Sequence, residues 1–136
     1  MQKTTHLIFA FLILIIFGFL LNFPIYLSLF AFLGALIPDM DTKFKRFHRK
    51  LFHNFWFLLI TLFVAFNIGL ERNAAIVFSI GFLSHLLGDS LTHRGIMPLW
   101  PLEKPKFNGP VKTGGFGEYL LILVLLLLIY WVGTII

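Results

Sequence analysis

The chain has 136 residues, of which 59% are hydrophobic and only 12% charged, with a formal charge of +5. Its mean hydropathy of +0.93 excludes an ordinary soluble core and points to a small polytopic membrane protein. The absence of cysteine excludes a disulfide framework and thiolate metal sites, so nitrogen and oxygen are the ligands open to any ion.

Five apolar segments follow in chain order. The first, 5–21, comes after Lys3 and carries His6 at its mouth. It has to be weighed as a signal peptide, but no small-x-small cleavage site precedes Pro24, so a retained first span is expected. The second, 25–37, starts after Asn22-Phe23-Pro24 and stops at Pro38; the third, 55–70, opens after Asn54. Glu71-Arg72-Asn73 separates it from the fourth, 74–91, and a long stretch from Thr92 to Gly117 leads to the fifth, 118–136. The second and third are short against the roughly 20 residues of a perpendicular membrane helix. Because open loops cannot face lipid, each segment is expected to be helical. The expected fold is an all-α, polytopic membrane helical bundle of about four to five spans, formed as one domain over 1–136.

If each segment crosses once, His6, the PDMD turn, the HRKLFH stretch, the HLLGDSLTH stretch and Glu118 all fall on one face of the membrane. That face also holds Lys3, Lys43, Lys45, Arg46, Arg49, Lys50, Arg94, Lys104, Lys106 and Lys112, against Arg72 alone on the other. The positive-inside tendency then sets the face in the cytoplasm, and a multi-pass protein of the cell membrane with a cytoplasmic site is expected. Topology and attraction to anionic headgroups explain much of this basic excess.

Histidine and aspartate near hydrocarbon are costly and usually line a site. His85 and Asp89 are four residues apart, on one helix face a turn apart, so they can grip one ion or two adjacent ones. A helix-end polar pair is the bland alternative. Asp39 and Asp41 alternate after Pro38, where two carboxylates of an extended turn can reach nearby ions; a helix terminus with an aspartate cap would look the same. His48 and His53 lie about 140° apart on an ideal helix, so His48 is expected in the loop and His53 at the opening of the third span. His6 counts mainly because it shares this face. His93 and Arg94 suit a wet loop without function, and Glu118 suits a helix N-terminus, where the macrodipole favours a carboxylate. Gly114-Gly115-Phe116-Gly117 lacks the spacing of a phosphate loop.

The order of these motifs resembles the YdjM-like family. The matching stretches are Thr5-His6, Ile37 through Asp41, His48-Arg49 with His53, and above all GFLSHLLGDSLTHRGIMPLWP from Gly81 to Pro101. Where that family usually reads HRGxTHS, this chain reads HRKLFHN: Lys50 stands for the glycine, Phe52 for the threonine and Asn54 for the serine. His93 stands where the family commonly has proline. The family is described as LexA-binding, inner-membrane-associated, metal-dependent hydrolases. The resemblance strengthens the metal site more than the reaction, and no residue here can be tied to LexA.

The resulting expectation is a membrane-bound, metal-dependent hydrolase acting on a phosphate ester such as a lipid or lipid-linked phosphate. Its metal ligands would come from His6, Asp39, Asp41, His48, His53, His85 and Asp89. That donor set suits two divalent ions, zinc first, with Mn, Fe or Co also suited. Asp41 is the preferred bridge or proton acceptor, and Arg49 with Lys50 would clamp the substrate phosphate. The bilayer is the expected partner, with no nucleic acid. The alternatives are a non-catalytic metal binder or carrier, and a membrane adaptor whose basic face docks a partner protein. A carrier site usually sits nearer the midplane and between repeated halves, and no internal repeat is seen here.

Overall fold

The computed structural model describes residues 1–43, 50–102 and 104–135, with no account of the side chains of 41–43. Five helices carry the fold: α1 (Lys3–Leu21), α2 (Ser28–Leu36), α3 (Phe55–Asn67), α4 (Arg72–Ser90) and α5 (Phe116–Ile135). Two 3₁₀ turns extend α2, Ile25–Leu27 at its start and Ile37–Lys43 at its end. The expected segments thus appear as helices, displaced by no more than a few residues at their ends. Among the described residues, α1 and α5 are long and apolar enough to cross a bilayer.

Local chemistry explains the boundaries. Asn22 ends α1 in the left-handed conformation, with its N–H on the Gly18 carbonyl, and Pro24 prevents continuation. Asn54 caps α3: its Oδ1 accepts from the Phe57 N–H at 2.8 Å, satisfying one of the orphan donors of the first turn. α4 begins after the polar break at Glu71 and runs to Ser90, so His85 and Asp89 occupy its last turns.

α4 is the hub. It packs most extensively on α2 and also meets α1 and α3, while α5 leans on α1. Hydrocarbon tails are as apolar as leucine, so helices in lipid associate through close packing of small residues and through polar contacts. That is the character of the α2–α4 seam. A β-carbon on Gly34 would run into the backbone of Phe78 and Phe82, and one on Gly81 into the backbone of Ala31. Ala31 and Ala35 are fully buried along the same line.

The connection from α4 to α5 is ordered by backbone hydrogen bonds. Ile96 and Phe107 exchange a pair at 2.8 and 3.0 Å, and His93 N–H reaches Val111 at 3.0 Å. Gly95 turns the chain at φ +63°, where a side chain would also strike the Phe107 carbonyl. The Phe55 N–H donates to the Pro98 carbonyl at 2.9 Å. This bond ties the start of α3 to the connection and brings His53 toward the end of α4.

Candidate metal centre

The polar groups of the centre come from four parts of the scaffold, with His85 and Asp89 both on α4. The α2–α4 seam sets His85, because close approach of the backbones lets its Nδ1 meet the Ala35 carbonyl at 2.6 Å. A carbonyl partner requires a proton on Nδ1 and therefore leaves Nε2 as the ligating nitrogen. Asp39 arrives on the 3₁₀ turn Ile37–Lys43 beyond α2. His53 precedes the α3 cap, where Asn54 Nδ2 donates to the carbonyls of Lys50 and Leu51 and fixes the local turn. His6 comes from the first turns of α1. That end is held by Glu118, whose Oε1 accepts from Gln2 N–H at 2.6 Å and Thr5 Oγ1 at 2.7 Å. Its Oε2 accepts from Gly114 N–H at 2.6 Å.

Four ligand atoms then converge: His85 Nε2, His53 Nε2, Asp39 Oδ1 and Asp89 Oδ2. The two nitrogens are 3.1 Å apart. His53 Nε2 lies 3.4 Å from Asp89 Oδ2 and 3.6 Å from Asp39 Oδ1. His85 Nε2 lies 3.9 and 3.8 Å from the same two oxygens. A tetrahedral ion with bonds near 2 Å separates its ligands by about 3.3 Å. The cluster has the size of such a shell, slightly expanded. The groups are also out of water: His53 and His85 are 0% exposed, Asp89 1% and Asp39 11%. Buried carboxylates and imidazoles at this density are costly unless compensated, and a divalent cation compensates them directly.

Asp89 faces a second direction as well. Its Oδ1 lies 3.3 Å from His6 Nε2 and 2.5 Å from the Met1 ammonium. The His6 ring stacks on His85 with centroids 3.7 Å apart and 14° between planes. It is 1% exposed, and neither of its nitrogens makes a hydrogen bond among the described residues. Gly88 makes room for it, since a β-carbon there would stand 3.2 Å from His6 Nδ1. Two triads therefore share His85: Asp39, His53 and His85 on one side, and His6, His85 and Asp89 on the other.

The family model for the YdjM inner membrane protein matches residues 1–136. The chain belongs to the YdjM inner membrane protein family. A curated relative, "Uncharacterized protein YvsG" of Bacillus subtilis (strain 168), is 29% identical over 116 residues, covering 73% of this chain and 72% of its own length. No solved structure matches the chain. Membership, with two long apolar helices, places the protein in the membrane.

Of the residues singled out in the sequence, the structure of this YdjM-family chain brings together His6, Asp39, His53, His85 and Asp89. The Asp41 side chain, His48 and Arg49 lie outside the described residues. Lys50 is exposed beside the centre, and His93 is exposed on the connection. Glu118 differs most from expectation. Rather than only opening its own helix, it is fully buried and joins α5 to the start of α1. The α2 partner of His85 is a backbone carbonyl, which no side-chain motif could announce. The small residues Ala31, Gly34, Ala35 and Gly81 were the available signal for that contact. Outside the helices, burial pulls the pKa of His53 down, but hydrogen bonds and charges from Asp39 and Asp89 outweigh it and hold it above the ordinary histidine value.

Proposed function

We propose that this protein is a multi-pass, metal-dependent hydrolase of the inner membrane, acting at the cytoplasmic interface on a phosphate ester carried by a lipid or lipid-linked molecule. The observation that carries the reading is the convergence of His53, His85, Asp39 and Asp89 at 3.1–3.9 Å in a buried setting. A divalent ion held there supplies Lewis acidity and an acidified water at neutral pH. The donor chemistry of imidazole and carboxylate admits Zn, Mn, Fe or Co, with zinc matching the tetrahedral spacing.

The chain's own residues have distinct parts in this reading. The Ala35 carbonyl orients the His85 ring, and the Asn54 turn places the backbone that carries His53. Asp89 is the bridging candidate, because its two oxygens face the two triads. A second ion would sit toward His6. Asp41 is left as proton acceptor. Arg49 and Lys50 would draw in the phosphate and balance charge that develops on its oxygens. A site at the membrane edge suits a substrate whose apolar end stays in the bilayer.

The test is elemental analysis of detergent-purified protein, wild type beside Asp89→Asn and His85→Ala/Asp89→Asn. Stoichiometric transition metal in wild type is expected, with occupancy down at least about tenfold in the single variant, since even ligand-orienting contacts are worth that much. Turnover of phosphatidic acid or an isoprenyl phosphate should be lost with the metal. Metal-free wild type, after incubation with zinc and manganese, would remove the hydrolase reading and leave a docking role for the basic face.

A further inference from the structure

Beside the centre lies an apolar groove of about 420 Å³. It is lined by Leu51 and Phe52, by Trp56 and Ile60 of α3, and by Trp100 with Pro101 of the connection. Asn54 also lines it, but that side chain is occupied: Oδ1 caps α3 and Nδ2 donates to the Lys50 and Leu51 carbonyls. The groove therefore offers hydrocarbon contact and hardly any hydrogen bonding. Phe52 is fixed in it by an edge-on contact with Phe57, centroids 4.6 Å apart.

Its position along the chain gives it meaning. Within Lys50–Asn54 the backbone presents an exposed cation at Lys50, groove wall at Leu51 and Phe52, a centre residue at His53 and the cap at Asn54. Consecutive residues are at most about 3.6 Å apart along an extended chain, so cation, groove and centre lie within one headgroup's reach. Among the described residues the exposed charges of the surrounding surface have a single sign. Lys3, Lys50, Arg94, Lys104, Lys106 and Lys112 are exposed at this end of the bundle. Among the described residues its carboxylates, Asp39, Asp89 and Glu118, are turned inward. Bulk lipid would fill any apolar groove, but a rim whose exposed charges, among the described residues, are all cationic favours a negative headgroup.

We infer that this groove is the acyl-chain subsite for an anionic phospholipid, with Lys50 meeting its phosphate at the edge of the centre. What then happens to that phosphate rests on the hydrolase reading above; occupancy of the groove does not. Trp56 and Trp100 report it directly. The protein with Trp131→Phe, which silences the tryptophan of α5, is placed in phosphatidylcholine nanodiscs carrying a low mole fraction of brominated phosphatidic acid or brominated phosphatidylcholine. Phosphatidic acid should quench at about fivefold lower mole fraction, the worth of one lysine near a headgroup, and Lys50→Gln should abolish most of that difference. Equal quenching by the two lipids would overturn the proposal. Metal content of the same samples separates the two claims: selective quenching without metal leaves the subsite standing and removes the hydrolase, whereas metal without selectivity does the reverse.

Discussion

Helices α4 and α5 are nearly equal in length, 19 and 20 residues, yet they are used in opposite ways. α5 is apolar enough to be read as a span and buries only Glu118 and Leu125. α4 does not meet that measure, being rich in glycine, serine and ionisable groups, and buries eleven residues, His85 and Asp89 among them. The contrast follows from the solvent. In lipid an apolar side chain gains little by leaving the surface, so greasy helices stay outside. The helix at the centre has to be joined by backbone proximity and polar contacts, which lowers its hydropathy. The least hydrophobic long helix is thus the one that builds the site.

The strongest test of that contrast sets two glycines against each other. Gly81→Val on α4 forces a branched side chain into the Ala31 backbone. The expected loss is about 3 kcal/mol, the upper part of the range for overpacking. Because separation of the seam also breaks the His85–Ala35 contact, metal should be lost with it. Gly133→Val on α5 meets open space and should change stability by no more than about 0.5 kcal/mol. Thermal unfolding in detergent with parallel metal analysis decides it. A Gly81→Val protein with wild-type melting and metal content would refute the seam as the determinant of the site.

Glu118 is the exception on α5 and gives an intermediate effect. Glu118→Ala leaves the Gln2 and Gly114 N–H groups and the Thr5 hydroxyl without their acceptor, at a cost of about 2 kcal/mol. Glu118→Gln keeps one carbonyl oxygen and should lose about half of that. The end of α1 loosens in both, so any metal bound on the His6 side should exchange faster while the His53 side is retained. Metal dissociation rates for the two variants are the measurement. Unchanged rates alongside reduced stability would confine Glu118 to the fold.

Much of this organisation is legible in the sequence, and the unread part has a physical reason. Segments 25–37 and 74–91 become α2 with its turns and α4 because apolar runs bounded by Pro24, Pro38 and the Glu71 break leave little choice. Threading those segments alone brings His6, Asp39, His53, His85 and Asp89 to one end. It does not reveal which carboxylate faces two ways. The sequence favours Asp41 as bridge or proton acceptor, and its side chain lies outside the described residues; among those described, Asp89 has its two oxygens toward His53 and His6. That depends on helix rotation, which is set by Gly34 and Gly81 rather than by any ligand spacing. The role of Glu118 spans 116 residues to Gln2, beyond the reach of local pattern.

The smallest effect is also the most diagnostic, because it reverses sign with metal. In the metal-free protein the pKa of His53 is raised, its partners Asp39 and Asp89 outweighing burial. A histidine with a raised folded pKa contributes stability that is fully present below its unfolded value and lost as pH rises through the folded one. Chelator-treated protein should therefore lose this contribution above about pH 6.5, the unperturbed histidine value. With metal bound the ring must be neutral, so protons compete with the ion and stability falls instead on acidification. Melting temperature against pH, with and without chelator, for wild type and His53→Gln, isolates the residue's share. The wild-type minus variant difference should slope downward with pH in chelator and upward in zinc. Parallel slopes in both would mean that His53 titrates without regard to an ion, and would remove it from the ligand set.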